Sequence, residues 1–441
     1  MFAILFLLLL SSESFLVKNR GVYLGGKTFI VRGICYSPTP VGEDVSLGYE
    51  WWNDDYYLDD LPLLKSLGCN VIRTYDMKAT SSDEEVRLEK VLDDFYNYGI
   101  YIIMGYWVNP GQDFSSPTIR DSLKNDFINM VEKWKNHPAV FGWCFGNEVW
   151  PGGSGTDEEK WKSWYSLVEE VSSLTKSIDP DHPVMTVNSD IWTIGRTELG
   201  SDDSSLPSLD IWGVNLYLGD SFQSRFSSFT VLSSKPFLIT EFGCDAWNGK
   251  VGSEDEDLQA NYIQAQWKEI EENLFTESGA VIGGCLFEWV DEWWKSNSGS
   301  PSSHDTSSDW TNVYYSDPSM NEEWWGIRKI LLPPYNCSSR EAYFTLQNLW
   351  SKYVLSSEKV YVFPNPFYPG RGQKLSFGNL PVNSEKIRIF AISGEFIDEI
   401  SVINQQANWY GENYYGKPAA SGVYFFVVYP AGQKGKFVLI K

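Results

Sequence analysis

The feature that most constrains this chain is an alternation. Between about residue 20 and about residue 350, short apolar runs that read as strands are separated by longer amphipathic runs. The strand-like runs are Phe29–Tyr36, Asn70–Tyr75, Ile100–Trp107, Ala139–Gly146, Pro183–Val187, Ile211–Leu216, Pro236–Glu241 and Ala280–Trp289. Stretches with helical spacing lie between most of them, among them Glu84–Tyr98, Ile119–Lys135, Asp157–Ser177 and Asp255–Phe275. A strand covered on both faces reads as a continuous apolar run, and parallel neighbours need a crossover helix. Eight such units predict an α/β fold, a closed parallel (β/α)₈ barrel over residues 20–352. Ser189–Leu209 has no helical period, and Gly299–Trp325, rich in Ser, Asp, Asn and Pro, reads as a long loop after the eighth strand. A last helix is expected at about Ser339–Lys352.

From about Glu358 the pattern changes to short alternating strands: Lys359–Phe363, Lys386–Ile392, Glu395–Val402, Gly422–Val428 and Lys436–Ile440. No helix-length period remains, so residues 358–441 are expected to form a small all-β immunoglobulin-like sandwich.

Composition narrows the function. The 441 residues carry a formal charge of −23, and nucleic-acid binders need basic patches, so no nucleic-acid partner is expected. Met1–Leu10 is apolar and followed by Ser11, Ser12 and Ser14. It is too short to span a bilayer and reads as the core of a signal peptide over residues 1–14. No second long apolar stretch follows, so a mature chain without an integral membrane segment, secreted or held at the cell surface, is expected. The six Cys are scattered, and Cys35, Cys144 and Cys285 lie in apolar strand-like runs, where buried thiols are expected rather than disulfides. No Cys–His grouping suits zinc, and His137, His182 and His304 offer little to a Ser–His–Asp triad. Neither a metal nor a cofactor is expected.

Active sites of such barrels gather at the C-terminal ends of the strands, where the loops converge. The fourth apolar run, Ala139–Gly146, leads into Asn147 and Glu148; the seventh ends in Thr240 and Glu241. Two carboxylates at strand ends would face one another across the mouth. Breaking a glycosidic bond needs a proton on the leaving oxygen and support for a cationic anomeric carbon. When two carboxyl groups stand roughly 5–5.5 Å apart, one attacks directly and a covalent glycosyl-enzyme forms. Their surroundings must then hold one protonated and the other ionised. Glu148 is expected to be the acid/base and Glu241 the nucleophile. Trp is abundant, at 20 residues, and Trp51, Trp52, Trp107, Trp150, Trp247, Trp289, Trp293 and Trp294 fall at or after expected strand ends. Indole faces stack on the C–H-rich faces of sugars, so Trp107, Trp150 and Trp289 are candidate substrate platforms, Trp289 the foremost. Glu288, Asp291 and Glu292 either bind hydroxyls or are solvated. Gly21–Thr28 matches the phosphate-loop pattern letter for letter. A strand follows it where that loop needs a helix, so Gly25-Gly26 is expected to be a hairpin turn and not a nucleotide site.

Specific runs carry a family likeness: Gly26–Gly33, Asn70–Tyr75, Gly146-Asn147-Glu148, Thr240-Glu241-Phe242-Gly243 and Phe287-Glu288-Trp289. On these the chain resembles retaining glycosidases, in particular the barrel of glycoside hydrolase family 2 and the β-1,3-glucanosyltransferases of family 72. The resemblance implies that Arg73 hydrogen-bonds the nucleophile, that Asn147 holds the sugar 2-hydroxyl and that Tyr217 orients Glu241. It departs from both families: there is no room for the sandwich domains that precede the family 2 barrel, and the Cys do not suggest the disulfides of family 72. Phe363–Phe367, Ile392–Glu395, Trp409-Tyr410-Gly411 and Ala420–Tyr424 resemble the immunoglobulin-like module of flagellar hook-capping proteins and type IX secretion sorting domains. That tail is either a passive accessory domain or a partner of secretion machinery of the bacterial type. Three readings stay open: a retaining β-glycosidase acting on a β-linked glycan, a transglycosylase using the same two glutamates, and a non-catalytic surface glycan-binding protein.

Overall fold

The computed structural model describes residues 14–151, 157–295, 300–357, 360–378, 380–381, 384–403, 406–430 and 432–441. The expected leader, residues 1–14, lies outside them except for Ser14. The chain divides into two compact units, Met1–Leu349 and Trp350–Lys441.

The first unit is a closed barrel of eight parallel strands. They are β1 (Val31–Cys35), β2 (Val71–Arg73), β3 (Tyr101–Tyr106), β4 (Val140–Asn147), β5 (Val184–Asn188), β6 (Ile211–Asn215), β7 (Phe237–Phe242) and β8 (Val281–Leu286). Closure is made by β8 on β1, with Gly283 opposite Val31 and Leu286 opposite Ile34. Almost every strand residue is buried, because helices cover the outside and side chains fill the inside. The helices are α1 (Tyr56–Leu67), α2 (Ser82–Asn97), α3 (Pro117–Trp134), α4 (Glu158–Ile178), α5 (Arg225–Leu232), α6 (Glu256–Glu272) and α7 (Glu341–Ser357).

Asp157 and Asp255, read as the first residues of two helices, are their caps. Their carboxylates accept the N–H of Lys160 at 3.4 Å and of Leu258 at 3.0 Å, and the helical backbone starts one residue later. Between β5 and β6 the crossover has no α-helix, only a 3₁₀ turn at Thr197–Leu199, as the missing period of Ser189–Leu209 implied. Gly25 and Gly26 both have positive φ, 55° and 75°, and turn the antiparallel hairpin Gly21–Leu24/Lys27–Thr28. That hairpin pairs with Phe15–Lys18. Phe15 packs against Phe29, Tyr101 and Phe141, with ring centroids 4.7–5.1 Å apart, and plugs the end of the barrel where strands begin. All six cysteines are free thiols, five of them buried.

The second unit has two antiparallel sheets. One joins β9 (Tyr361–Phe363), β10 (Leu375–Gly378) and β13 (Ala407–Trp409); the other joins β11 (Lys386–Ala391), β12 (Phe396–Ser401), β14 (Gly422–Tyr429) and β15 (Lys434–Leu439). Alternate residues, among them Leu375, Phe377, Ile387, Ile389, Trp409, Phe426 and Phe437, form its separate core. Strands β10 and β13 were absent from the sequence reading; at four and three residues they are too short to show an alternation. Among the described residues no helix is long and apolar enough to cross a membrane.

Candidate active site

Glu241 lies in β7, Arg73 ends β2, Asn147 ends β4, Asn215 ends β6, and Glu148 and Tyr217 follow at once. Parallel strands in register deliver all six to one rim. The end of β4 is sharply turned: Gly146 has φ 79° and Glu148 has φ 48°. A Cβ at Gly146 would sit 2.8 Å from the Trp164 ring, so both the turn and the close packing require glycine there. A glutamate in left-handed backbone costs about 1–3 kcal/mol and persists only where neighbours enforce it. Here the Glu148 N–H donates to the Val187 carbonyl on β5 at 2.9 Å.

Three donors meet the Glu241 carboxylate: Arg73 Nη1 at 2.6 Å and Tyr75 Oη at 2.9 Å on Oε1, and Tyr217 Oη at 2.7 Å on Oε2. Arg73 is buried, and its guanidinium also lies 4.5 Å from the Tyr75 ring centroid. Burial, then the charge of Glu241, holds the Tyr217 phenol well above its ordinary value, so it stays a donor.

A continuous hydrogen-bond path links the two glutamates. Arg73 Nη2 donates to Asn147 Oδ1 at 2.6 Å, Asn215 Nδ2 donates to the same oxygen at 3.2 Å and to Glu148 Oε1 at 2.8 Å. The Asn215 amide is aimed by Thr240, whose hydroxyl donates to its Oδ1 at 2.7 Å. Among the described residues, Glu148 therefore receives one neutral side-chain donor and no cation. Burial, and then the negative charge of Glu241, pushes its pKa up to about 7. The two carboxyls thus occupy opposite environments, one wrapped in donors and one desolvated.

Both line a cleft of about 910 Å³. Its walls include Tyr49, Trp51, Trp107, Phe287, Trp294, Trp310 and Trp325. The rings of Trp310 and Trp325 are nearly parallel, 5° apart, and Trp325 packs edge-on to Tyr217 at 5.0 Å. Glu50, Asp76, Glu292 and Glu322 add acidic groups, and Lys295 is the only cation among the described lining residues. Lys295 is already engaged: its Nζ lies 2.6 Å from Glu292, 3.8 Å from Glu322 and 4.4 Å from the Phe287 ring centroid. Among the described residues no three His, Cys, Asp or Glu side chains gather in a metal-holding group.

Of the sequence candidates, Glu148, Glu241, Asn147, Tyr217 and Trp107 line the cleft, and Arg73 sits directly behind it. Two candidates do not line it. Trp289 is 1% exposed, packed near Tyr36, Tyr343 and the Arg328 guanidinium, and is no platform. The reason is that β8 ends at Leu286, not at Trp289, so Trp289 lies beyond the strand. Trp150 is 36% exposed but outside the cleft, because the left-handed step at Glu148 turns the chain before it. Of the two alternatives for the acidic trio, solvation is ruled out: Glu288, Asp291 and Glu292 are all buried, and Glu292 lines the cleft. Asp291 is clamped by Arg340 at 2.6 and 2.7 Å, and Glu292 by Lys295.

Sequence reasoning missed the roles of Tyr75, Asn215 and Thr240. Each is a polar residue at or near the end of an otherwise apolar strand, a signal present but not used. It also missed Glu50, Asp76, Lys295, Trp310, Glu322 and Trp325, which come from loops that carry no periodicity.

The glycoside hydrolase 72 family model, described as glucanosyltransferase, matches residues 10–295, more than half of the chain. The chain belongs to that family. This glucanosyltransferase-family chain is 24% identical over 291 residues to a beta-galactosidase of Alteromonas mediterranea, covering 63% of itself and 23% of that protein. It is 22% identical over 307 residues to 1,3-beta-glucanosyltransferase gas2 of Schizosaccharomyces pombe, covering 64% of itself and 61% of that protein. The beta-D-glucuronidase structure of Dictyoglomus thermophilum shares its fold, with a TM-score of 0.53 at 18% identity over 77% of this chain and 53% of that one. The chain thus spans between about a quarter and about three fifths of the length of these curated relatives.

Proposed function

We propose that the chain acts on β-linked glycans as a retaining enzyme, with Glu241 as nucleophile and Glu148 as acid/base. The observation that carries this is the contrast between the two carboxyls of one cleft: Arg73, Tyr75 and Tyr217 all donate to Glu241, while desolvation pushes Glu148, which accepts from the neutral Asn215 amide, up towards the protonated form. In the first step a Glu241 oxygen attacks the anomeric carbon. The bond to the leaving oxygen breaks, and that oxygen takes the proton of Glu148. In the second step Glu148 removes a proton from water, whose oxygen attacks the same carbon and frees Glu241. Asn147, whose Oδ1 is engaged by Arg73 and Asn215, is left to offer its amide N–H₂ to the sugar 2-hydroxyl. Trp107, Trp310 and Trp294 supply aromatic surface for the sugar faces.

A 2-fluoro glycoside slows both steps and the second most, so it traps the covalent intermediate. Mass mapping is expected to find the label on the peptide that contains Glu241; a label elsewhere, or none, removes Glu241 from this role. A second reading, transfer to an acceptor sugar in place of water, is favoured by the glucanosyltransferase match. Products longer than the substrate would identify it. The further proposals are that residues 20–352 form the catalytic domain, that residues 358–441 are an immunoglobulin-like sandwich, either a passive accessory domain or a secretion-sorting one, and that the chain is secreted or held at the cell surface after loss of residues 1–14.

A further inference from the structure

Outside the cleft, the rim beside Glu148 carries an aromatic surface that the mechanism does not use. Trp150 and Trp192 are 36% and 39% exposed, and their rings lie 5.2 Å apart at 59°. Both are held. The Trp150 Nε1 donates to Ser189 Oγ at 3.0 Å, and buried Trp161 packs under both rings, 6.5 Å from Trp150 and 5.8 Å from Trp192. Exposed indoles fixed from beneath are already ordered, so a ligand that stacks on them does not have to freeze them.

Their place in the fold says which side of the reacting bond that ligand meets. Trp107, which lines the cleft, follows β3, Trp150 follows β4 and Trp192 follows β5, so three successive loops set indoles on the same side of the mouth. Trp150 is two residues beyond Glu148, and two residues of chain reach at most about 7 Å. A proton donor faces the oxygen of the leaving sugar, whereas the nucleophile faces the sugar that stays. Aromatic surface continuous with the donor's loop therefore meets the leaving side of the glycan.

We propose that Trp150 and Trp192 form an outer subsite for the leaving-side portion of a β-linked glucan chain, the same surface on which an acceptor chain would lie. The proposal rests on the assignment of Glu148 as proton donor. It makes the enzyme a chain-acting one, whose affinity grows with glycan length beyond the units the cleft itself holds.

The test reads binding rather than turnover. Glu241→Gln keeps the cleft and stops the reaction, and calorimetry on that background compares laminaribiose with laminarihexaose. The hexaose is expected to bind at least tenfold more tightly than the biose. Adding Trp192→Ala is expected to weaken the hexaose at least tenfold and the biose less than twofold, while Trp192→Phe, which keeps a ring, restores most of the loss. Equal weakening of both ligands, no weakening of the hexaose, or no binding of either sugar overturns the subsite. The catalytic reading fails separately: if covalent trapping leaves Glu241 unlabelled but the length-dependent loss at Trp192 persists, the glycan surface stands, while the mechanism and with it the leaving-side assignment fall.

Discussion

Glu148 and Glu241 are the same residue type made different by their neighbours, and their substitution should separate the two effects. Glu241→Gln removes the attacking oxygen but keeps the shape, so turnover is expected to fall at least about a hundredfold, the scale of losing one catalytic group. An unchanged melting temperature with that loss would assign the effect to chemistry; unchanged turnover would end the nucleophile assignment. For Glu148 the first step needs the protonated form, so kcat/KM should fall as pH rises through about 7. Burial is the largest cause of that value and the Glu241 charge the next, whereas the Asn215 hydrogen bond works against both by favouring the carboxylate. Asn215→Ala removes the opposing donor, so the alkaline limb of the pH profile should move upward. A downward shift would mean that Asn215 does not act on Glu148 through this bond.

At the scale of elements, what was legible in the sequence followed burial. All eight barrel strands fall within the runs read as strands, to within a residue or two at most ends, because strands buried on both faces are continuous apolar stretches. The pair Glu148 and Glu241 was legible for the same reason: a charge directly after such a stretch must sit at its rim. What was not legible depends on where a strand stops. At β8 the difference of three residues between Trp289 and Leu286 turned an expected sugar platform into packing. The loop after β8 brings Trp310, Glu322 and Trp325 into the cleft through hydrogen bonds scattered along it, such as Asn312 Nδ2 to the Tyr217 carbonyl at 2.9 Å, which leave no period to read. One fixed point of that region is the buried Asp291–Arg340 pair, which joins the segment after β8 to the start of α7; Arg340 also donates to Glu254 at 2.7 Å. Arg340→Met leaves the Asp291 carboxylate buried without its cation, and breaking such a pair costs about 3–5 kcal/mol. Denaturant unfolding should show a loss of that size; a loss under about 1 kcal/mol would mean that the segment is anchored elsewhere.

At the scale of the whole molecule, charge bears on which sugars the proposed enzyme would take. The chain carries −23 overall, and Asp76, Glu241, Glu292 and Glu322 face the cleft with Lys295 as the one cation among the described lining residues, while burial pushes Glu50 and Glu148 up to about 8 and about 7. A uronic acid brings a further carboxylate and needs a cation to receive it. Lys295 is already surrounded by Glu288, Glu292 and Glu322, whose charges hold it firmly protonated despite its burial. A neutral sugar meets no such repulsion. In parallel assays with the same aryl leaving group, kcat/KM on the β-glucoside should therefore exceed that on the β-glucuronide at least about a hundredfold, equivalent to about 2.7 kcal/mol. The outcome tests the chemistry of the cleft, since the likeness to the Dictyoglomus thermophilum structure is one of fold alone. Lys295→Met should widen the gap no more than a few fold if the lysine is committed to its own carboxylates. If Lys295→Met instead abolishes a strong activity on the glucuronide, the lysine is a receptor for the substrate's charge, and the cleft is built for uronic acids.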